Sequence, residues 1–117
     1  LMSHLSILPT VLRDVDCLAA SLEDLGLQPR RGGQLHGFAD ERVPVALQVT
    51  LNDALSIGWQ RQANGQLALV ADLQRASRSL PLQRLLSRLT RAYAVRKALH
   101  QVSQDPALQS AEVVLTA

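Results

Sequence analysis

The stretch from Leu55 to Leu73 constrains the fold more than any other part of the chain. Leu55, Ile57 and Trp59 alternate outward to Arg61, Asn64-Gly65 follows, and Leu67 to Leu73 returns as a largely apolar run. Alternation means a strand with one buried face, and an Asn-Gly pair supplies the positive φ angles that a tight reversal needs. A β-hairpin is therefore expected here, and its apolar face requires a covering layer.

Helical periodicity on either side supplies that layer. Asp14 is placed as an N-cap, with Val15, Leu18, Leu22 and Leu25 recurring at spacings of three and four before Gly26, which suits a left-handed closing turn. Beyond the hairpin, Pro81 fits the first turn of a second helix. Leu82, Leu85, Leu86, Leu89, Ala92, Tyr93 and Leu99 form its apolar stripe, and the helix runs to about Ser103, where Asp105-Pro106 stops it.

Three further strands are expected. Ser3 to Leu8 alternates before Pro9, Val43 to Leu51 keeps a period of two through Val43, Val45, Leu47, Val49 and Leu51, and Ala111 to Thr116 reads as a final edge strand. Gln28 to Arg42 is rich in Pro, Gly and charge, and is read as a short strand or ribbon with a surface loop. The expected fold is α+β: a two-layer sandwich of mainly antiparallel sheet with two helices on one face, a ferredoxin-like plan carrying an extra strand or two. No repeat, low-complexity tract or linker divides it, so residues 2–117 are taken as one domain and Leu1 as a remnant ahead of Met2.

A chain of 117 residues buries roughly two thirds of its unfolded surface, enough for a core without staples. With Phe38, Trp59 and Tyr93 as its three aromatics, that core must be built from Leu, Val, Ile and Ala. Cys17 has no disulfide partner, and His4, His36 and His100 lack metal-ligand spacing, so no cofactor or metal is expected and a reducing compartment is the default. No apolar run approaches the roughly 20 residues of a membrane helix, which excludes a membrane partner of that kind.

Charge is distributed unevenly. Between Leu73 and Gln104 stand Arg75, Arg78, Arg84, Arg88, Arg91, Arg96 and Lys97 without one carboxylate, whereas residues 1–72 carry five arginines against eight acids. Arg84, Arg88 and Arg91 fall within about 60° on a helical wheel, roughly opposite the apolar stripe. They form an outward row that either keeps the helix solvated or meets an acidic protein or a nucleic acid. Arg96 falls inside the stripe, where its charge requires a carboxylate such as Asp72 or an extended path to the rim. Arginine makes up eleven of the twelve Lys and Arg residues, a bias that coding preference explains as well as guanidinium contacts do.

Catalytic signatures are absent. Gly32-Gly33 and Gly37 have neither the spacing of a phosphate loop nor a following helix. Cys17 or Ser6 could be combined with His4 or His36, but no spacing demands it. The remaining ligand hypothesis places a pocket between the sheet and the 28–42 loop, using His36 with Asp40 or Glu41. Trp59, in phase with Leu55 and Ile57, reads as packing, and Cys17 as an inert half-buried thiol.

Met2-Ser3-His4-Leu5-Ser6, Asp14 through Leu25-Gly26, Ile57-Gly58-Trp59, Leu69-Val70-Ala71-Asp72-Leu73 and Arg88-Leu89-Thr90-Arg91-Ala92-Tyr93-Ala94 carry a resemblance. In order and spacing the chain resembles the conserved hypothetical reading frame number thirty-five of algal plastids and its cyanobacterial relatives. It departs from that pattern after Asp72, where Gln74-Arg75-Ala76 stand in place of an aromatic residue. The resemblance implies a small soluble protein of photosynthetic cells, in cyanobacterial cytoplasm or plastid stroma, with no established reaction and no site residues to carry over.

The leading expectation is thus a non-catalytic accessory or interaction module using Arg84, Arg88 and Arg91. The alternatives are a small-ligand protein or enzyme at His36, Asp40 and Glu41, and a nucleic-acid-binding module. Exposed sheet edges make a homodimer a further expectation.

Overall fold

The computed structural model describes residues 4–104. Its elements in chain order are β1 (Leu5–Leu8), α1 (Val15–Asp24), β2 (Arg30–Arg31), β3 (Gln34–His36), β4 (Arg42–Pro44), β5 (Leu47–Thr50), β6 (Ser56–Arg61), β7 (Leu67–Asp72), α2 (Leu73–Ala76) and α3 (Leu80–Gln104). Five strands form an antiparallel sheet in the order β1-β7-β6-β5-β2, and β3 and β4 form a separate two-stranded ribbon. The α+β class and the mainly antiparallel sheet are as the sequence predicts.

β7 pairs antiparallel with both β1 and β6, so β1 and β6 run parallel with β7 between them. The ferredoxin-like plan would close with a strand after α3, and the strand expected at 111–116 lies outside the described residues.

The main core fills the space between one sheet face and two helices. Leu18 and Leu22 of α1, Leu82, Leu85 and Leu89 of α3, and Leu47, Val49, Ile57, Trp59, Leu67 and Leu69 of the sheet are all buried in it. The aliphatic composition is thus realised around a single indole, Trp59, which is 1% exposed. Removing its faces from water makes it packing rather than a surface for stacked bases.

The expected helix caps are in place. Asp14 Oδ1 accepts the amide of Cys17 at 3.0 Å, and Gly26 closes α1 with φ +85°. Ser79 caps α3: its hydroxyl accepts the amide of Leu82 at 3.2 Å and donates to Asp53 Oδ2 at 2.7 Å. The stripe of α3 is narrower than its sequence suggests, since Leu86 and Leu99 are exposed and burial is confined to Leu82, Leu85 and Leu89.

Two strand boundaries differ from expectation. The strand read over Val43 to Leu51 divides between β4 and β5. Val45 packs with Leu35 and Val70 on the back of the sheet, whereas Leu47, Val49 and Leu51 enter the main core. The period of two continues across the break because the chain crosses from the ribbon into the main sheet without changing phase. The amide of Val45 goes to Gly33 O at 3.1 Å, and that of Ala46 to Trp59 O at 2.8 Å.

The strand read to Leu73 ends at Asp72 instead, because Asp72 Oδ1 accepts the amides of Gln74 at 3.1 Å and Arg75 at 3.3 Å and opens α2. The hairpin turn likewise needs one positive φ rather than two. Gly65 supplies it at +86°, while Asn64 uses its side-chain oxygen to accept the amide of Gln66 at 2.9 Å.

The ribbon lies over the back face of the sheet, adding a partial third layer to the expected two. It approaches closely because Gly58 has no side chain: a Cβ there would stand 2.8 Å from Val45 Cγ1 and 3.1 Å from Leu47 O. Leu5 and Val43 pack against the small core of Leu35, Val45 and Val70.

Candidate functional site

Along α3 the cationic side chains separate into two groups with different surroundings. Arg96 grips Asp24 of α1 with both arms of its guanidinium, Nε to Oδ2 at 2.6 Å and Nη2 to Oδ1 at 2.5 Å. Lys97 Nζ donates to Asp14 Oδ2 at 3.4 Å. The Arg96 hydrogen bonds hold the Asp24 carboxyl below the usual carboxylate range, and Asp24 raises the Arg96 guanidinium in turn. The carboxylate suggested for Arg96 was Asp72. The structure corrects this, because Asp72 is spent on capping α2 while α1 and α3, packed side by side, bring Asp24 to Arg96.

Arg84, Arg88 and Arg91 have no such partners. All three are exposed, and no ion pair involves them among the described residues. Arg84 and Arg88 border a hollow of about 260 Å³ whose apolar wall includes Leu25, Leu27, Leu51 and Leu85. Arg91 lies outside that hollow, one turn further along α3. The expected row is therefore present, with two of its members beside the open end of the α1–sheet packing.

His36, Asp40 and Glu41 do not converge. His36 is exposed at the end of β3, opposite Arg42 in the ribbon, and lines a cleft on the back of the sheet. Asp40 is exposed in the loop and does not line that cleft. Glu41 is committed elsewhere: its Oε1 accepts the amide of Leu5 at 2.8 Å and stands 3.8 Å from His4 Nδ1. The loop is tied by the Gly37 amide to Glu41 O at 2.9 Å, which sends the Glu41 side chain toward β1. The pairing of His36 with Asp40 or Glu41 in one pocket is not assembled.

The cleft itself, about 520 Å³, lies between the ribbon and the sheet, where the loop hypothesis places a pocket. Arg30 and Arg75 line it beside His36, Gln34, Gln48 and Ser56. Sequence reading missed Arg30 and Arg75 because they come from β2 and α2, two very short elements with no periodicity to reveal them.

Cys17 is half-buried, with Sγ 3.7 Å from Tyr93 O. Burial, and secondarily the negative charge of Asp14, push its thiol up from the ordinary value, which disfavours the reactive thiolate. Among the described residues no three His, Cys, Asp or Glu side chains come together to hold a metal ion, and no described helix is long and apolar enough to cross a membrane.

Comparison with known proteins places this chain in a family. The chain is similar to the protein described as "Uncharacterized protein ycf35" of Guillardia theta, being 32% identical over 100 residues that make up 84% of this chain and 77% of that protein. No solved structure matches. Residues 21–113, from the middle of α1 to beyond α3, match the family described as "Protein of unknown function (DUF1257)". The chain belongs to the DUF1257 family.

Proposed function

We propose that the protein is a non-catalytic accessory module that binds an acidic protein partner through the N-terminal half of α3. The observation that carries this reading is the contrast along one helix. Arg96 and Lys97 are matched by carboxylates of α1, whereas Arg84, Arg88 and Arg91 stand exposed with no ion pair among the described residues. Exposed cationic groups with no carboxylate beside them in the fold are free to steer and meet an acidic partner surface.

The hollow bordered by Arg84 and Arg88 supports the same reading. Leu25, Leu27, Leu51 and Leu85 offer apolar surface beside two guanidinium groups, which suits a segment carrying a carboxylate next to an aliphatic or aromatic side chain. A protein partner is preferred to nucleic acid because no stacking surface accompanies the arginines. Trp59 is buried, Tyr93 is half-buried with its hydroxyl engaged, and Phe38 lies in the ribbon loop on the other side of the sheet. The similarity to the Guillardia theta protein favours a setting in photosynthetic cells, in cyanobacterial cytoplasm or plastid stroma.

The test is affinity capture from a photosynthetic lysate, with and without nuclease. Baits are the wild type, the R84E/R88E/R91E variant, and a control carrying R42E, which lies in the ribbon on the opposite side of the sheet from α3. A protein that survives nuclease, is lost with the triple variant and is kept by the control supports the reading. Loss on nuclease treatment would point to RNA or DNA instead. Equal capture by all three baits would reject the α3 surface.

A further inference from the structure

The back of the sheet carries a second feature that the α3 surface does not use. A sheet face that a ribbon covers only for stability should be apolar throughout, and under the ribbon it is, with Val70, Val45 and Leu35 in contact. Beside that patch the same face becomes polar. Gln48 is 9% exposed and donates Nε2 to Gly32 O at 2.9 Å, and the hydroxyls of Thr50 and Ser56 share a hydrogen bond at 2.9 Å. Gly33 leaves the room for Gln48, since a Cβ there would stand 2.6 Å from its Nε2. Burying a polar amide in a sheet face is unfavourable unless it is hydrogen-bonded, and here the hydrogen bond to Gly32 fixes it at the edge of an open cleft.

The walls of that cleft are cationic. Arg30 reaches it from β2 and Arg75 from α2, and neither forms an ion pair among the described residues. His36 and Gln34 of the ribbon add hydrogen-bonding groups from the opposite wall. One acid is present, Asp72, whose Oδ1 faces the amides of Gln74 and Arg75. Asp53 lies within electrostatic reach of Arg75, but its carboxylate is held by the Ser79 hydroxyl. The cleft volume of about 520 Å³ falls within the usual range for small-molecule sites, about 300 to 1,000 Å³.

We infer that this cleft binds a small organic oxyanion, a carboxylate or phosphate held by the guanidinium groups of Arg30 and Arg75 over a floor of Gln48 and Ser56. Planar guanidinium forks match either anion in a two-point geometry, and amide and hydroxyl groups complete the donor set. The site lies on the sheet face opposite α1 and α3, so it is independent of the α3 surface. It also replaces the grouping of His36 with Asp40 or Glu41: His36 remains, and the two acids give way to two arginines.

The experiment is a ¹H–¹⁵N NMR titration of the full chain with inorganic phosphate and, separately, with succinate, at ionic strength held constant with chloride. The expected result is a saturable shift confined to amides of Arg30, Gln34 to Gly37, Gln48, Ser56 and Arg75. R30Q and R75Q should each weaken binding about tenfold or more, as loss of a charge-assisted hydrogen bond does. Both arginines are exposed, so the variants' spectra should otherwise stay native. The anion that saturates at lower concentration identifies the head group. R84E/R88E/R91E should bind both anions as the wild type does, which separates this site from the α3 surface. No saturable shift with either anion, or shifts that persist unchanged in R30Q and R75Q, would overturn the inference.

Discussion

The hydroxyl of Tyr93, on α3, accepts the backbone amide of Asp14 at 3.1 Å, just where α1 begins. The same oxygen lies 3.4 Å from the amide of Arg13. Asp14 in turn caps α1 through Cys17 and receives Lys97. One side chain of α3 therefore fixes the entry of the chain into α1, and the adjoining turn of α3 neutralises the cap. The tyrosine serves the joint between the two helices.

Tyr93→Phe keeps the ring and removes the acceptor. The Asp14 amide is then left to water, and the expected loss is about 1 kcal/mol, the net worth of a hydrogen bond of this kind. Urea denaturation should show a lower midpoint with an unchanged slope. A midpoint equal to that of the wild type would mean that the joint is held by packing alone.

The ribbon depends on one glycine. In Gly58→Ala the new Cβ meets Val45 Cγ1 at 2.8 Å and Leu47 O at 3.1 Å, and the backbone oxygen cannot move aside as a side-chain tip can. Overpacking of this sort costs about 1 to 3 kcal/mol. Hydrogen exchange should accelerate first in β3 and β4, before the main sheet. Uniform loss of protection would show that the ribbon is not a separate layer.

Acid should destabilise the protein through three carboxylates. Asp14 is held low by the Cys17 amide, Asp24 by Arg96 and Asp53 by the Ser79 hydroxyl. A carboxyl whose pKa is depressed in the folded state contributes stability that is fully present above its unfolded value of about 3.9 and is lost as pH falls through the lower folded value. Stability to urea should therefore hold steady above about pH 5 and decline below about pH 4. Asp24→Asn should flatten part of that decline. A curve that is level down to pH 2.5 would contradict the assignment.

How much of this was legible in the sequence depends on whether the information was local. The Asp14 cap, Gly26 closure and β6–β7 hairpin are short-range features and were read directly. Val43 to Leu51 misled because alternation records only which side chains share a phase, and Val45 and Leu47 share one while serving different cores. Arg96 was expected inside the apolar stripe, paired with a carboxylate or reaching to the rim; it is exposed instead, and its carboxylate, Asp24, is 72 residues away in sequence and selected only by the packing of α1 on α3. Glu41 looked available for chemistry because its bond to the Leu5 amide spans 36 residues. The row of Arg84, Arg88 and Arg91 was visible from periodicity, whereas its distinction from Arg96 and Lys97 required the fold.

The most direct test of the α3 account is the affinity of the purified partner for wild type and for R84E/R88E/R91E, measured between low and physiological salt. The account predicts binding that weakens as salt rises, because exposed charges are screened, and a loss of about tenfold or more in the triple variant even at low salt. Affinity that is independent of salt and unchanged by the three reversals would contradict it.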